Sequence, residues 1–400
     1  MRDRIQTRAR DLLPNTIAVR RDLHRHPELA FEEIRTSGLV AETLKSFGIP
    51  VRRGLARTGV VGFIDGALPG PSRMLRADMD ALPILEENIF DFVSTVPGKM
   101  HACGHDGHTA MLLTAAQILQ ELREELHGSV RLIFQPAEEK VPGGAKPMIE
   151  DGCLAPLEGR PSVGTAFGQH VRPDLPSGTI GVRAGAFMAA SDEVFITITG
   201  QGGHAAEPHL LRSDPVHAAA HVITALQSVI SRNRPPDVPS VLSFCKVDAG
   251  DAPNVIPDRV VLGGTFRSMD DTWRFRGHDL ITRVAEHTAA AFGAKADVDI
   301  HVGYPTLVND QVQATRVRRA AEEYVGPDHV VDLDRWYVAE DFAYYLREVP
   351  GCYYTLGIRN EPEGIVHGLH TPRMTVDEPA LATGAGFLAY LAWHTGANPD

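Results

Sequence analysis

The 400-residue sequence lacks long apolar runs, and none approaches the roughly 18 consecutive apolar residues that a membrane-spanning helix requires. Its amino-terminal residues are too highly charged to form the apolar core of a secretory signal. Cysteine is scarce: the 4 cysteines lie far apart without paired spacing, which favours reduced thiols over a disulfide framework. We therefore expect a cytoplasmic protein without a membrane partner.

An excess of positive charge is also missing. The sequence carries 39 basic and 51 acidic residues, for a net charge of −12, and its arginines are scattered instead of being gathered on one face with aromatic residues. A nucleic-acid partner is therefore not expected. What the chain does have is a hydrophobic fraction of 43%, enough for a large core, and a length that predicts two domains.

The outer parts of the chain have the pattern of a layered α/β domain. Short apolar runs alternate there with helical periodicity, and the candidate site residues follow the apolar runs, where α/β sheets usually bind ligands. The predicted strands are at 60–64, 74–77, 130–134 and 353–358, and the predicted helices include 36–47 and 109–126. We predict that residues 1–185 and 303–400 form a catalytic, metal-binding domain.

Between residues 186 and 302 the order changes to strand, helix, strand, strand, helix, strand, which is typical of a ferredoxin-like α+β unit. The predicted strands are at 193–199, 241–247, 260–266 and 297–302, and the predicted helices are at 215–230 and 272–292. Alternating strands leave one sheet face exposed, and an edge strand is available to pair with a second subunit. Residues 186–302 are therefore predicted to be an inserted lid and dimerisation domain.

Two short motifs predict a metal site that contains its own general base. Residues 101–108 read His-Ala-Cys-Gly-His-Asp-Gly-His, and in an extended segment Cys103 and His105 would project from one face toward the same ion. Glu138 and Glu139 follow an apolar run and, being neighbours, should point in different directions. One can then bind a metal while the other faces a metal-bound water, as metal-assisted hydrolysis requires.

Further ligands are expected from other strand ends. His170, His367 and His370 are the remaining candidates for a dinuclear site. Asp78 and Asp80 share a face, so one of them could orient a ligand histidine, although capping of the next element is an equally good interpretation. The histidine pair at 24 and 26 ends an amino-terminal helical stretch and is predicted to be structural.

The inserted domain offers polar groups for a substrate. His204 follows a glycine-rich loop, where an exposed imidazole could stabilise an oxyanion. Asn254 and Arg267 offer an amide and a guanidinium, and a guanidinium suits a substrate carboxylate. A surface ion pair is the alternative for Arg267.

Taken together, the motifs resemble those of the M20 metallopeptidases, in particular the amidohydrolase branch that contains aminoacylases, hippurate hydrolases and indole-acetyl-amino-acid hydrolases. The resemblance runs nearly end to end, but the segment 335–340 lacks the glycine expected just before the last motif. The motifs, in order, are HRHPEL (24–29), ADMDALP (77–83), MHACGHDGHT (100–109), FQPAEE (134–139), GGHAA (202–206), NVIPD (254–258) and EDFAY (340–344).

The resemblance implies a metallopeptidase-type α/β catalytic domain with an inserted ferredoxin-like lid and dimerisation domain. It implies two divalent ions per subunit, zinc or manganese with cobalt or nickel as alternatives, and a homodimer or higher oligomer formed through the lid. Glu138 would be the general base, Asp80 would orient a ligand, and His204 would reach into the partner's active site. Asn254 and Arg267 would bind the substrate. The implied metal ligands are Cys103, His105, Glu139, His170 and His370.

The implied reaction is hydrolysis of the amide bond of an N-acyl amino acid, such as an N-acetyl or N-benzoyl derivative, by a metal-bound water that Glu138 activates. A dipeptidase or carboxypeptidase of the same fold is the first alternative. A metal-free hydrolase that uses Cys103 as its nucleophile is the second. A non-catalytic metal-dependent binding protein is the third, and the retained Glu138 argues against it.

Overall fold

The structure is a computed structural model that describes residues 1–157 and 159–397. The helices are α1 (Arg2–Arg25), α2 (Ile34–Ser46), α3 (His105–Glu121), α4 (Ala145–Glu150), α5 (Pro215–Ser228), α6 (Asp271–Ala291), α7 (Gln311–Val325), α8 (Ala343–Glu348) and α9 (Ala380–Ala397). The strands are β1 (Val51–Leu55), β2 (Gly59–Asp65), β3 (Leu68–Asp78), β4 (His127–Gln135), β5 (Thr165–Pro176), β6 (Ile180–Val182), β7 (Gly185–Met188), β8 (Ala190–Thr199), β9 (Gly203–His204), β10 (Ser240–Asp248), β11 (Val255–Ile256), β12 (Arg259–Ser268), β13 (Lys295–Val302), β14 (Leu307–Asn309), β15 (Val330–Asp332) and β16 (Gly351–Arg359).

The described residues divide into two compact units. The larger contains Met1–Gly185, Val308–Asp334 and the described residues from Asp341 on, and the smaller contains Ala186–Leu307 and Arg335–Glu340. The roles predicted for the two domains, catalysis for one and lid and dimerisation for the other, stay predictions. Within residues 1–157 and 159–397, no helix combines the length and the apolar character that a membrane span requires.

The larger unit contains a mixed sheet with the strand order β1-β2-β4-β3-β5-β16-β6-β15. Its central strands β4, β3, β5 and β16 run parallel to one another. The second half of β3 and of β4 is buried almost without interruption, and α3 and α9 pack against β3. Burial on both faces explains why these strands are continuous apolar runs in the sequence. The parallel arrangement also places their carboxyl ends at one edge of the sheet.

The smaller unit has the order β8, α5, β10, β12, α6, β13, and its antiparallel sheet has the strand order β10-β12-β8-β13. Side chains alternate along β8, so that Val194, Ile196 and Ile198 enter a core shared with residues of α5 and α6. This connectivity and strand order are those of a ferredoxin-like unit. The predicted fold class, an α/β domain with an inserted ferredoxin-like α+β domain, is confirmed.

His24 connects three segments of the larger unit. The ring is fully buried, with Nδ1 2.8 Å from Oδ2 of Asp106 and Nε2 3.0 Å from Oε1 of Glu86. The Nε of Arg20 donates to the same oxygen of Asp106 at 2.9 Å. Burial lowers the pKa of His24, but its hydrogen bonds to Asp106 and Glu86 outweigh this effect and raise the pKa above its ordinary value. These contacts support the structural role predicted for His24.

Replacing His24 by glutamine should cost stability mainly at low pH. Because the folded-state pKa is raised, protonation of His24 stabilises the fold fully below about pH 6.5, the ordinary histidine pKa, and this contribution is lost as the pH rises through the raised value. Breaking a buried ion pair costs roughly 3 kcal/mol, so His24→Gln should lose about that much at pH 6 and less at pH 9.

Thermal unfolding of chelator-treated wild type and variant between pH 5.5 and 9 measures this difference without interference from bound metal. His26→Gln is the matched control, because the His26 ring is only half-buried and contacts the backbone oxygen of Asp22. A stability difference between wild type and His24→Gln that stays constant or grows with pH would contradict the ion-pair account.

Candidate metal centre

The five predicted ligands come from four places in the larger unit. Cys103 and His105 lie at the start of α3, and Glu139 follows the end of β4. His170 lies within β5, and His370 is in the loop between β16 and α9. All five approach one another, so the structure brings the predicted ligand set together.

Their contacts form two overlapping groups. The ligand atoms of Cys103, His105 and His170 lie within 4.8 Å of one another, and so do those of Cys103, Glu139 and His370. Sγ of Cys103 is 3.5 Å from Nε2 of His170, and Oε1 of Glu139 is 3.1 Å from Nε2 of His370. Because Cys103 belongs to both groups, the arrangement suits two neighbouring ions. His367 belongs to neither group among the described residues.

Gly104 brings Cys103 and His105 together, and the reason differs from the one predicted. We expected an extended segment, but α3 begins at His105 and Gly104 adopts a φ of 84°. A β-carbon at this position would lie 2.5 Å from Cγ2 of Val171. Only glycine meets both the left-handed backbone and the close approach. The two ligands therefore share a face because the chain turns sharply between them.

The residues fit a divalent cation on electrostatic grounds. Among the residues that the structure describes, Nε2 of His105 and Oε1 of Glu139 are buried without a hydrogen bond that meets distance and angle criteria, although Nε2 of His370 lies 3.1 Å from that oxygen. Burial lowers the pKa of His105, but the carboxylates of Asp78, Asp80 and Glu139 outweigh this effect and raise it to about 10. Orphaned buried atoms are costly, and a site that holds a proton this tightly attracts positive charge. A metal ion would satisfy both conditions.

Asp80 forms hydrogen bonds with three residues of this centre. Nδ1 of His105 lies 2.9 Å from the backbone oxygen of Asp80 and 3.2 Å from its Oδ1, which leaves Nε2 facing the other ligands. The same carboxylate accepts the amide of Glu138 at 3.0 Å and that of Glu139 at 2.9 Å. Such outer contacts fix the orientation of metal ligands.

Asp78 has a different environment, which the two-residue spacing alone did not distinguish from that of Asp80. It is fully buried, with Oδ1 2.6 Å from Nδ1 of His108 and Oδ2 2.5 Å from a terminal nitrogen of Arg76. Burial raises the pKa of Asp78, but His105, Arg76 and His108 lower it well below the ordinary value. Nε2 of His108 accepts the amide of Val171 at 2.9 Å. Both nitrogens of His108 are thus in use, so it supports the site instead of binding an ion.

Glu138 lies beside the ligands. It is 6% exposed, and one of its carboxylate oxygens lies within 4.8 Å of ligand atoms of His105 and Glu139. Glu139 also approaches His370, and oxygens of both glutamates lie within 4.8 Å of a ligand atom of His105, so the predicted divergence of the two side chains stays a prediction. The geometry permits Glu138 to exchange a proton with a group held at the ligands.

The other predicted residues lie in the smaller unit. His204 on β9 pairs with Val255 on β11, and its exposed ring accepts the amide of Ala206 at Nδ1, at 3.1 Å. In the neutral ring the proton is therefore on Nε2, which can act as a donor. The backbone oxygen of Asn254 accepts a hydrogen bond from the amide of Ala205 at 3.1 Å. Asn254 therefore lies close to the backbone of the residue that follows His204.

Arg267 is near the end of β12. Burial lowers the pKa of Arg267 below its ordinary value, and the charges of Asp192 and Glu193 only partly oppose this effect. Among residues 1–157 and 159–397, no side chain forms an ion pair or hydrogen bond with its guanidinium, so the alternative of a surface ion pair is not supported. The contacts do not join Arg267 to His204.

Cys103 is poorly suited to be a nucleophile. The side chain is buried, and burial together with the carboxylates of Glu139 and Glu138 raises the pKa of its thiol well above the ordinary value. Nucleophilic cysteines need a lowered pKa, because the thiolate is the reactive species. The environment favours a thiolate only when a cation binds to it.

The sequence and structure match those of known proteins over most of the chain. The model of Peptidase family M20/M25/M40 matches residues 74–394. N-acetyl-L-cysteine deacetylase of Bacillus subtilis (strain 168) is 41% identical over 372 residues, 93% of this chain and 86% of that protein. Thermostable carboxypeptidase 1 of Saccharolobus solfataricus is 38% identical over 393 residues, 98% of each protein.

A solved structure of similar fold comes from Bacillus subtilis and is described as a dinuclear metal binding peptidase from the M20 family. It superimposes with a TM-score of 0.82 and 36% sequence identity, over 96% of this chain and 98% of that one.

Proposed function

The chain belongs to peptidase family M20/M25/M40 and is a metal-dependent amidohydrolase, and we propose that it releases free amino acids from N-acyl amino acids. The position of Glu138 carries the proposal. A buried carboxylate beside a set of metal ligands is unnecessary for metal binding alone, whereas amide hydrolysis needs a group that takes a proton from water and returns it to the leaving amine. The identity with N-acetyl-L-cysteine deacetylase supports an N-acyl amino acid as the substrate class.

The proposed cofactor is a pair of divalent ions, zinc or manganese. Cys103, His105, Glu139, His170 and His370 would hold them, and thiolate and imidazole favour zinc while the carboxylate tolerates manganese. Bound ions of this kind polarise the acyl carbonyl and make water more acidic.

The protein's own groups would perform the proton transfers and the substrate recognition. Glu138 takes a proton from the attacking water as its oxygen forms the new C–O bond, and later gives that proton to the nitrogen of the leaving amino acid as the amide C–N bond breaks. The Nε2 proton of His204 stabilises the oxyanion. Asn254 and Arg267 bind the substrate, with the guanidinium of Arg267 directed to the amino acid carboxylate.

A carboxypeptidase is the second candidate, because thermostable carboxypeptidase 1 is 38% identical over nearly the full length of both chains. Both reactions release an amino acid with a free carboxylate, so the recognition by Arg267 serves either one. They differ in the group that supplies the carbonyl carbon of the cleaved amide bond.

Glu138→Gln should abolish most turnover while keeping the metal. The amide preserves the size of the side chain but accepts no proton, and loss of general acid–base catalysis costs about 10²–10⁴-fold in kcat. The assay is amino acid release from N-acetyl and N-benzoyl amino acids and from matched dipeptides, with metal content measured on the same samples. Glu150→Gln, on the exposed end of α4, is the control.

Near-normal kcat in Glu138→Gln would refute its role as the base. Faster hydrolysis of the dipeptides than of every N-acyl substrate would favour the carboxypeptidase.

We also propose a homodimer in which His204 serves the partner's site. His204→Ala should be inactive with its metal retained, and mixing it with Glu138→Gln should recover activity, because a mixed dimer then contains one intact site. Steady-state assays of the mixture, with mixed dimers verified by native mass spectrometry, test this. Verified mixed dimers without recovered activity would rule out the arrangement.

A further inference from the structure

Glu33 is a buried carboxylate that the proposed mechanism does not use. It precedes α2 and is 0% exposed. Its Oε1 accepts the amides of Phe31 and of Ala137, each at 2.9 Å, and its Oε2 accepts the hydroxyl of Thr58 at 2.6 Å. Ala137 is 104 residues away in the sequence, and it directly precedes Glu138.

The segment that Glu33 holds leaves the sheet in a disfavoured conformation. β4 ends at Gln135, and Ala137 is fully buried with a φ of 55°. A left-handed alanine costs free energy and persists only where surrounding contacts hold it. The contact from Glu33 meets this need, because its carboxylate binds the amide of Ala137 itself.

Two carboxylates together hold three successive amides. Glu33 accepts the amide of Ala137, and Asp80 accepts those of Glu138 and Glu139. The direction in which the side chains of Glu138 and Glu139 leave the backbone depends on how the preceding peptides are turned. Asp80 fixes the last two peptides, and Glu33 fixes the first.

Burying the carboxylate of Glu33 costs free energy, which argues against an incidental contact with Ala137. Burial raises the pKa of Glu33 and the charge of Asp80 adds to this effect, while the hydrogen bond from Thr58 opposes it, and together they raise the pKa to about 7. The hydrogen bond from the amide of Ala137 links Glu33 to the segment that contains Glu138.

We propose that Glu33 is a positioning residue for hydrolysis, which fixes the Ala137 peptide and thereby aims the carboxylate of Glu138. This inference rests on the proposed role of Glu138 as the base. Glu33 touches neither the substrate nor the reacting atoms. It acts through the backbone of the turn at residues 136–139.

Three variants separate positioning from stability. Glu33→Ala removes the acceptor for the Ala137 amide, and a misplacement of about 1 Å in a catalytic group costs roughly 100-fold. It should therefore lower kcat about 100-fold and leave KM nearly unchanged, because Glu33 does not contact the substrate. Glu33→Gln keeps an oxygen acceptor and should recover most of the kcat. Thr58→Val removes the other hydrogen bond to Glu33 but leaves the Ala137 contact, so it should keep its kcat even where it lowers the thermal stability.

Hydrogen exchange of the chelator-treated proteins gives a readout that needs no activity. Peptides that cover residues 136–140 should exchange faster in Glu33→Ala and at the wild-type rate in Thr58→Val. Unchanged exchange in Glu33→Ala would overturn the proposal, as would a kcat loss in Thr58→Val as large as that in Glu33→Ala at equal thermal stability. If Glu138→Gln is fully active, the proposed function fails, whereas the exchange result still decides whether Glu33 holds this turn.

Discussion

The carboxylate of Asp80 is the contact on which the centre depends. It follows a buried parallel strand, and it joins the first residue of α3 to the turn after β4 through His105 and the amides of Glu138 and Glu139. A flexible or solvated carboxylate could not do this, because its oxygens would exchange with water. Because the carboxylate is buried, its hydrogen bonds are held in fixed directions, and they fix the orientation of the metal ligands that they contact.

The same burial concentrates unbalanced charge. Carboxylates raise the pKa of His105 to about 10 and help raise the pKa of the Cys103 thiol, while two ligand atoms remain without hydrogen bonds. A protein that folded only for stability would pair or remove these groups. The arrangement is accounted for if cations complete it, and the excess negative charge that makes the metal-free centre costly is what would bind the ions.

Sequence reasoning recovered much of this from local patterns. Four strands of the larger sheet and the ferredoxin-like order of the smaller unit follow from apolar runs. The set of five ligands was implied by the resemblance to the M20 family, because the motifs alone left His170, His367 and His370 as open candidates. The two-residue spacing alone does not separate Asp78 from Asp80. The family resemblance singled out Asp80, and the contacts of Asp78 with Arg76 and His108 show how its environment differs. Sequence patterns also did not predict contacts between residues that are far apart in the chain. The bond from Glu33 to Ala137 joins residues 104 apart, and Trp336 joins the smaller unit through a backbone bridge to Met188.

Release of amino acid from an N-acyl amino acid, measured as metal is returned stepwise to chelated protein, tests the central claim most directly. The account predicts no activity in the metal-free protein and a rise that saturates at two equivalents of zinc or manganese per chain. Full activity after verified removal of metal would contradict it and would return attention to Cys103. Saturation at one equivalent would contradict the dinuclear centre.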